Sequence, residues 1–439
     1  MTRSLPALGP NRQLTLPEQR ERTLASGLTV IAIRRSAIPL VEVRLRVPFA
    51  RADLAGTSLL TQTLFSGTED MSNTEIAATL QSLGAALSAG ADPDRLLISG
   101  NALVAGLERL LEVLADVLNG ATYPSDEVAT ERDRLVDRIQ VARTQPAHLA
   151  RVALLRRMYD EHPYAVQTPE PEDVKEVAPE ALRDLHRERI HPAGATLVLV
   201  GDLDPDAAID VAERTLSGWT GGGKPVELPP TPPLRPGPLT LVDRPGAVQS
   251  SLRIAQPAVG RTHPDHAALQ LTNLIFGGYF SSRWVENIRE DKGYTYGPHS
   301  LIEHSVAGSA LVMGAEVATE VTAPALLETW YELGRLASVP PGQDELEQAR
   351  QYALGTLLLG VSTQAGLATL ASTYAGFGLR LSHLAQHAER MAAVTLDEVA
   401  ATAAKYLAPA KGIAVVLGDA DRVESSVAAL TEVNRVPAS

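Results

Sequence analysis

The chain has 439 residues, 45% of them hydrophobic and 21% charged, with a formal net charge of -13 and no cysteine. That length exceeds what one hydrophobic core organises, so two or more domains are expected in a globular protein of ordinary composition. The acidic balance argues against a nucleic-acid surface, which needs clustered Lys and Arg, and the absence of cysteine excludes disulfides, thiolate metal sites and cysteine nucleophiles. Any metal would have to be held by His, Asp or Glu. Residues 1–12 contain Pro6, Gly9 and Pro10 and no apolar run of signal-peptide length, and the longest apolar runs, such as 195–200, are strand-sized. A soluble, cytoplasmic protein without membrane contact is therefore expected.

Two strands near 28–34 and 40–47 open the first half and are expected to pair as a hairpin. A helix over 72–83 begins at Ser72-Asn73-Thr74-Glu75, the spacing of a capping box. Strands near 85–90 and 95–101 precede long helices over 105–118 and 125–144, and His162-Pro163-Tyr164 reads as a structural turn. The half closes with a helix, the turn at Pro192, a buried strand and Gly201-Asp202. Gly218-Trp219-Thr220-Gly221-Gly222-Gly223 follows, and then seven prolines between 225 and 238, a run that sustains neither helix nor central strand and reads as an extended connector.

The second half repeats the first. Strands near 239–243 and 249–255, a helix over 264–276, strands near 299–303 and 308–317, and helices over 319–336 and 343–361 lead to the turn at Pro409 and to Gly418-Asp419. Gly201 and Gly418 are 217 positions apart, as are Pro192 and Pro409. Such a long-period repeat of two units indicates duplication, and strands grouped with runs of helices indicate an α+β class. The expected organisation is two duplicated α/β layer-sandwich domains, 1–217 and 239–439, joined by the linker 218–238.

Two segments carry a resemblance. Leu64-Phe65-Ser66-Gly67-Thr68, followed by a helix and Leu83-Gly84-Ala85, resembles the region after the inverted zinc motif, H-x-x-E-H, of the pitrilysin/insulinase metallopeptidases. In that motif two His bind zinc and the Glu is general base on a metal-bound water. The resemblance places the motif on Ser58-Leu59-Leu60-Thr61-Gln62, so Ser58 and Gln62 stand at the ligand positions and Thr61 at the base position. Ser and Gln are poor zinc ligands beside imidazole, and Thr takes no proton from water near neutral pH. The remaining ligand, a Glu on a later helix, corresponds to Arg138, a fixed cation. Read without the resemblance, 58–62 is an ordinary helix turn.

The second segment runs Phe276-Gly277-Gly278-Tyr279-Phe280-Ser281-Ser282-Arg283-Trp284-Val285-Glu286-Asn287-Ile288-Arg289-Glu290-Asp291-Lys292-Gly293-Tyr294-Thr295-Tyr296-Gly297. It resembles the family's C-terminal signature, in which an Arg and a Tyr separated by six intervening residues bind substrate near the scissile bond; here these are Arg289 and Tyr296. Both donate hydrogen bonds and can hold a peptide carbonyl. The residues alone place Arg289 near a helix C-terminus, Gly293 at its left-handed stop and Tyr294 to Tyr296 in the next strand, with Gly277 and Gly278 in a loop turning into the helix. They also admit a surface ion pair of Arg289 with Glu286 or Asp291, and a half-buried strand Tyr296.

The resemblance implies a non-catalytic subunit without metal of its own. Zinc would be expected in a homologous partner chain, forming a heterodimer that cleaves peptides or unfolded polypeptides. The competing readings are a structural scaffold and a homodimeric, chaperone-like peptide binder. Among weaker signals, His383 and His387 share a helix face and read as solvated or capping, and His263 and His266 flank a helix start. No phosphate loop and no G-x-S-x-G elbow occurs.

Overall fold

The computed structural model describes residues 15–437; the N-terminal stretch 1–12, read above for targeting, lies outside them. The strands of the first half are β1 (Gln19–Thr23), β2 (Thr29–Arg34), β3 (Leu40–Pro48), β4 (Ala86–Asp92), β5 (Arg95–Leu103) and β6 (Thr196–Gly201). Those of the second are β7 (Leu239–Asp243), β8 (Gln249–Pro257), β9 (His299–Ser305), β10 (Gly308–Ala318), β11 (Ile413–Gly418) and β12 (Val433–Pro437). They form two six-stranded sheets, ordered β1-β2-β6-β3-β5-β4 and β12-β7-β11-β8-β10-β9. Helices layer both, giving the duplicated α+β architecture.

The opening strands do not pair as hairpins. The run Leu197-Val198-Leu199-Val200 is buried throughout, and a strand buried on both faces belongs at a sheet centre. β6 therefore inserts between β2 (parallel) and β3 (antiparallel), and β11 inserts between β7 and β8 in the same way. The repeated Gly-Asp has a packing cause. A Cβ on Gly201 would lie 2.4 Å from Leu40 O, and one on Gly418 would lie 2.5 Å from Ser250 Oγ. Each glycine lets its central strand close against the antiparallel neighbour. Ser72 caps the helix Asn73–Ser82 with both hydrogen bonds of the capping box formed.

Each sheet has two apolar faces, and the halves exchange helices to cover them. The inner face of the first sheet, Val30, Ala32, Leu197 and Leu199, packs on its own half's helices. Its outer face, Ile33, Val198 and Val200, packs on Leu367, Ala368 and Ala371 of the helix Gln364–Gly376, from the second half. Reciprocally, Val242, Val415 and Leu417 on the outer face of the second sheet pack on Ala150, Leu154, Leu155 and Met158 of the helix Pro146–Tyr159, from the first. Burial of each large side chain contributes about 1.5–3 kcal/mol.

The connector is held between the halves. Trp219 is buried, Thr231 N donates to Ala307 O (3.0 Å), and His162 Nε2 meets Pro229 O at 2.9 Å. Among the described residues no single helix is long and apolar enough to cross a membrane.

Candidate functional site

The helix Leu54–Thr63 starts at Asp53, whose carboxylate accepts from Gly56 N (2.5 Å). Ala55, Leu59, Leu60 and Thr63 are buried on the core side of the helix, and Ser58, Thr61 and Gln62, at i, i+3 and i+4, share another face, on which Thr61 is buried and Gln62 exposed. That face lines a cavity of about 770 Å³. The helix Ser125–Thr144 brings Arg138 to the same cavity, where its Nη2 donates to Gln62 Oε1 at 3.2 Å. Thr61 Oγ1 donates to Ser58 O at 2.9 Å. The four residues picked out at the degenerate motif are thus neighbours.

The far wall of the cavity combines both halves. Gly90, Ala91 and Asp92 come from β4, the strand at the edge of the first sheet, and Glu303, His304 and Ser305 come from β9. Arg151 Nη2 and Glu303 Oε2 form an ion pair at 2.6 Å. Tyr164 OH donates to Asp94 Oδ1 (2.5 Å), Val306 N donates to Asp94 Oδ2 (3.1 Å), and Ala307 N donates to Tyr164 OH (3.0 Å). Burial and the Asp94 carboxylate push the Tyr164 phenol up, so it stays a donor at neutral pH. Sequence reasoning read His162-Pro163-Tyr164 as a turn and missed this wall. Its residues lie far apart in the chain, and only the Pro-Tyr step signalled them.

Arg289 and Tyr296 are brought together elsewhere, and neither lines this cavity. Trp284 anchors their segment. Its ring is buried, stacks on Phe276 at 5.4 Å between centroids, and donates from Nε1 to Thr329 Oγ1 at 3.0 Å. Arg289 lies on a π-helical turn, Glu286–Asp291, which Gly293 ends at φ 65°, as expected for a left-handed stop. The Arg289 guanidinium carbon sits 4.3 Å from the Phe280 ring centroid and 5.0 Å from that of Tyr296. Tyr296 is 86% exposed and Phe280 59%.

Three local expectations are corrected. Tyr296 is not in a strand, because β9 starts only at His299, and it is not half-buried. The ion pair of Arg289 is with Glu290 (3.3 Å), not Glu286 or Asp291. Gly277 and Gly278 do not form a loop entering a helix; they close the π-helical turn Leu274–Gly278. A Cβ on Gly277 would meet Trp284 Cε3 at 2.8 Å, and one on Gly278 would meet Asn273 Nδ2 at 2.9 Å, so tight packing selects them.

The histidines are corrected too. His387 is buried rather than solvated, and His266, at the helix start, is buried too. His266 Nε2 meets His304 Nε2 at 3.2 Å, and His387 Nε2 donates to Gln270 Oε1 at 2.7 Å. Among the described residues no group of three or more His, Asp or Glu is placed to hold a metal ion.

The first half, residues 49–172, matches the family model described as insulinase, peptidase family M16, and residues 176–352 match that described as the peptidase M16 inactive domain. This chain belongs to the pitrilysin/insulinase family, M16. An uncharacterized zinc protease of Mycobacterium tuberculosis is 26% identical over 410 residues, covering 90% of this chain and 92% of the relative. A probable inactive metalloprotease of Bacillus subtilis is 30% identical over 223 residues, 48% of this chain and 50% of the relative. The fold is shared with a Pseudomonas fluorescens structure described as a peptidase M16 inactive domain (TM-score 0.84, 23% identity, 91% and 98% of the two chains). It is also shared with a Helicobacter pylori protease (TM-score 0.84, 17% identity, 92% and 100%).

The zinc of M16 enzymes does not fit the residues present here. At the positions that the resemblance gives to the motif, this M16 chain offers the hydroxyls of Ser58 and Thr61, the second bonded to its own helix, the Gln62 amide and the Arg138 guanidinium, which already donates to that amide. The match to the inactive domain and the inactive Bacillus relative fit a non-catalytic role.

Proposed function

We propose that this chain is the non-catalytic, substrate-binding subunit of a heterodimeric zinc metallopeptidase in the cytoplasm. Its homologous partner carries H-x-x-E-H, zinc and base, and this chain supplies Arg289 and Tyr296 to the partner's site. The observation that carries the reading is the cluster of Arg289 with the exposed rings of Phe280 and Tyr296, set apart from the cavity at Ser58, Thr61 and Gln62. A guanidinium packed against two rings keeps its orientation, and its N–H groups, with the Tyr296 hydroxyl, can take a peptide carbonyl and favour negative charge developing on it. A substrate strand also has a docking edge: β4 is paired on one side only, and its residues 90–92 line the cavity, so an extended peptide can add there.

The second reading is a scaffold. It is favoured by a bovine relative, described as subunit 1 of the mitochondrial cytochrome b-c1 complex, that is 24% identical over 217 residues, 49% of this chain and 45% of the relative. Purification of this chain with a co-expressed H-x-x-E-H homologue separates the two. With wild-type complex cleaving a peptide, Arg289→Ala is expected to lower kcat/KM about tenfold or more, about 1.4 kcal/mol of transition-state stabilisation, and Tyr296→Phe somewhat less. Both variants should keep the wild-type melting temperature, because Tyr296 is exposed and Arg289 pairs only with surface groups. Undiminished cleavage by both variants would sink the proposal and leave the scaffold.

A further inference from the structure

The helices Gln343–Gly360 and Gln364–Gly376 meet at 103° and, with the helix His266–Asn273, enclose an open groove of about 650 Å³. Leu274, Leu357, Val361 and Leu370 give it apolar walls, and Arg261 is the one charged residue lining it. The groove shares no residue with the cavity at Ser58, Gln62 and Arg138, nor with the Arg289 surface, so it stands apart from the function proposed above.

Arg261 has no carboxylate partner among the described residues. Its Nε is buried without an acceptor, and its guanidinium carbon lies 5.9 Å and 5.3 Å from the ring centroids of Tyr374 and Phe377. The titratable groups around it are Tyr374, His266, His304, His383 and His387; burial holds the histidines toward the neutral form and pushes the Tyr374 phenol up, so none of them is an anion at neutral pH. Burial also lowers the guanidinium's own proton affinity. Arg261 is half-buried and has no counter-charge among the described residues, so its guanidinium can take an anion that enters the groove. A second donor points the same way. Gln270 lines the groove, and its Oε1 is taken by His387, which leaves the amide N–H groups without an acceptor among the described residues.

We propose that this groove binds a linear aliphatic monocarboxylate. The carboxylate would sit on Arg261 and the Gln270 amide, and the alkyl chain would lie along Leu274, Leu357 and Leu370. One cation matches a singly charged head, a planar guanidinium matches a carboxylate in bidentate geometry, and the volume is that of a small-molecule site.

The test is calorimetric titration of the full chain with decanoate and with decan-1-ol. Decanoate is expected to bind at least tenfold more tightly than the alcohol. Arg261→Gln should abolish that preference while sparing the weaker apolar binding. Thr369→Trp, on an exposed position of the groove wall, should block both ligands without altering the melting temperature. Equal affinities for acid and alcohol in the wild type, or no binding of decanoate, overturns the proposal. So does tighter binding of a peptide ending in leucine, which would make the groove a site for a polypeptide C-terminus. The wild-type comparison and the Trp variant decide the matter even if Arg261→Gln fails to fold.

Discussion

In the first half, the helix that follows the second central strand turns Ser58, Thr61 and Gln62 onto a cavity, and a neighbouring helix closes that face with Arg138. In the second half, the corresponding helix, His266–Asn273, is buried against histidines, and the exposed side chains are on the segment after it, where Arg289 packs on Phe280 and Tyr296. One architecture thus places these residues in a cavity in one copy and on an exposed surface in the other. A duplicated fold constrains where helices and strands go, while the residues on their open faces diverge without disturbing the core.

Three experiments break or sharpen this contrast. The largest effect is expected from restoring ligands to the first half. Ser58→His, Thr61→Glu, Gln62→His and Arg138→Glu together should give a chain that retains near-stoichiometric zinc on dialysis, because all four positions already face one another. With Arg138 left in place, zinc affinity should be weaker by about a hundredfold or more, since a fixed cation at a ligand position both repels the metal and leaves it one ligand short. Equal affinity in the two variants would show that the face is not built as a metal site.

The next effect concerns what the halves share, the exchanged helices. Ala368→Asp and Leu154→Asp each place an unpaired carboxylate against the other half's sheet, at a cost of roughly 3–5 kcal/mol. Each should lower the thermal midpoint of the whole chain in a single calorimetric transition. Two transitions, one of them unshifted, would mean that the halves unfold independently.

The smallest effect distinguishes the histidines. In the first half His186 is satisfied at both ring nitrogens, by Tyr123 OH (2.7 Å) and Leu118 O (2.9 Å). In the second half His266 Nδ1 is buried without a partner. Burial, with the nearby histidines and Arg261, pushes His266 down to about 2 and His387 down to about 4. The folded state keeps both neutral while the unfolded chain takes up protons below about pH 6.5, so their contribution is complete above that pH and declines as pH falls toward 4. By about pH 5 the loss is roughly 2 kcal/mol for each buried histidine. His387→Gln, which keeps a donor for Gln270, should reduce the difference between denaturant midpoints measured near neutrality and near pH 5; an unchanged difference would assign the acid sensitivity elsewhere.

Much of this organisation is legible in the residues. The long helices and most strands follow their apolar periodicity, the Ser72 to Glu75 cap forms as its spacing requires, and the i, i+3, i+4 positions of Ser58, Thr61 and Gln62 share a face because a helix makes them do so. The failures share one cause: they depend on partners distant in sequence. The hairpin expectation failed because β6, more than 140 residues after β3, takes the place between β2 and β3. The edge strands β1 and β12 are short and polar, with nothing in their pattern to mark them. The covering helices Pro146–Tyr159 and Gln364–Gly376 show apolar faces, but no local pattern states that each covers the opposite sheet. The far wall of the cavity is assembled from β4, Tyr164 and β9 for the same reason.

The helix exchange also has a consequence for how the protein is made. When the ribosome has completed the first sheet at Gly201, the helix that will cover Ile33, Val198 and Val200 is still about 160 residues from being synthesised, roughly 8–30 s of elongation. Throughout that interval the nascent first half carries a bare apolar sheet face, the kind of surface that chaperones hold and that aggregates when they do not. A gene cut at the connector would make that interval permanent, so its two products would have to find each other before either could bury its outer face.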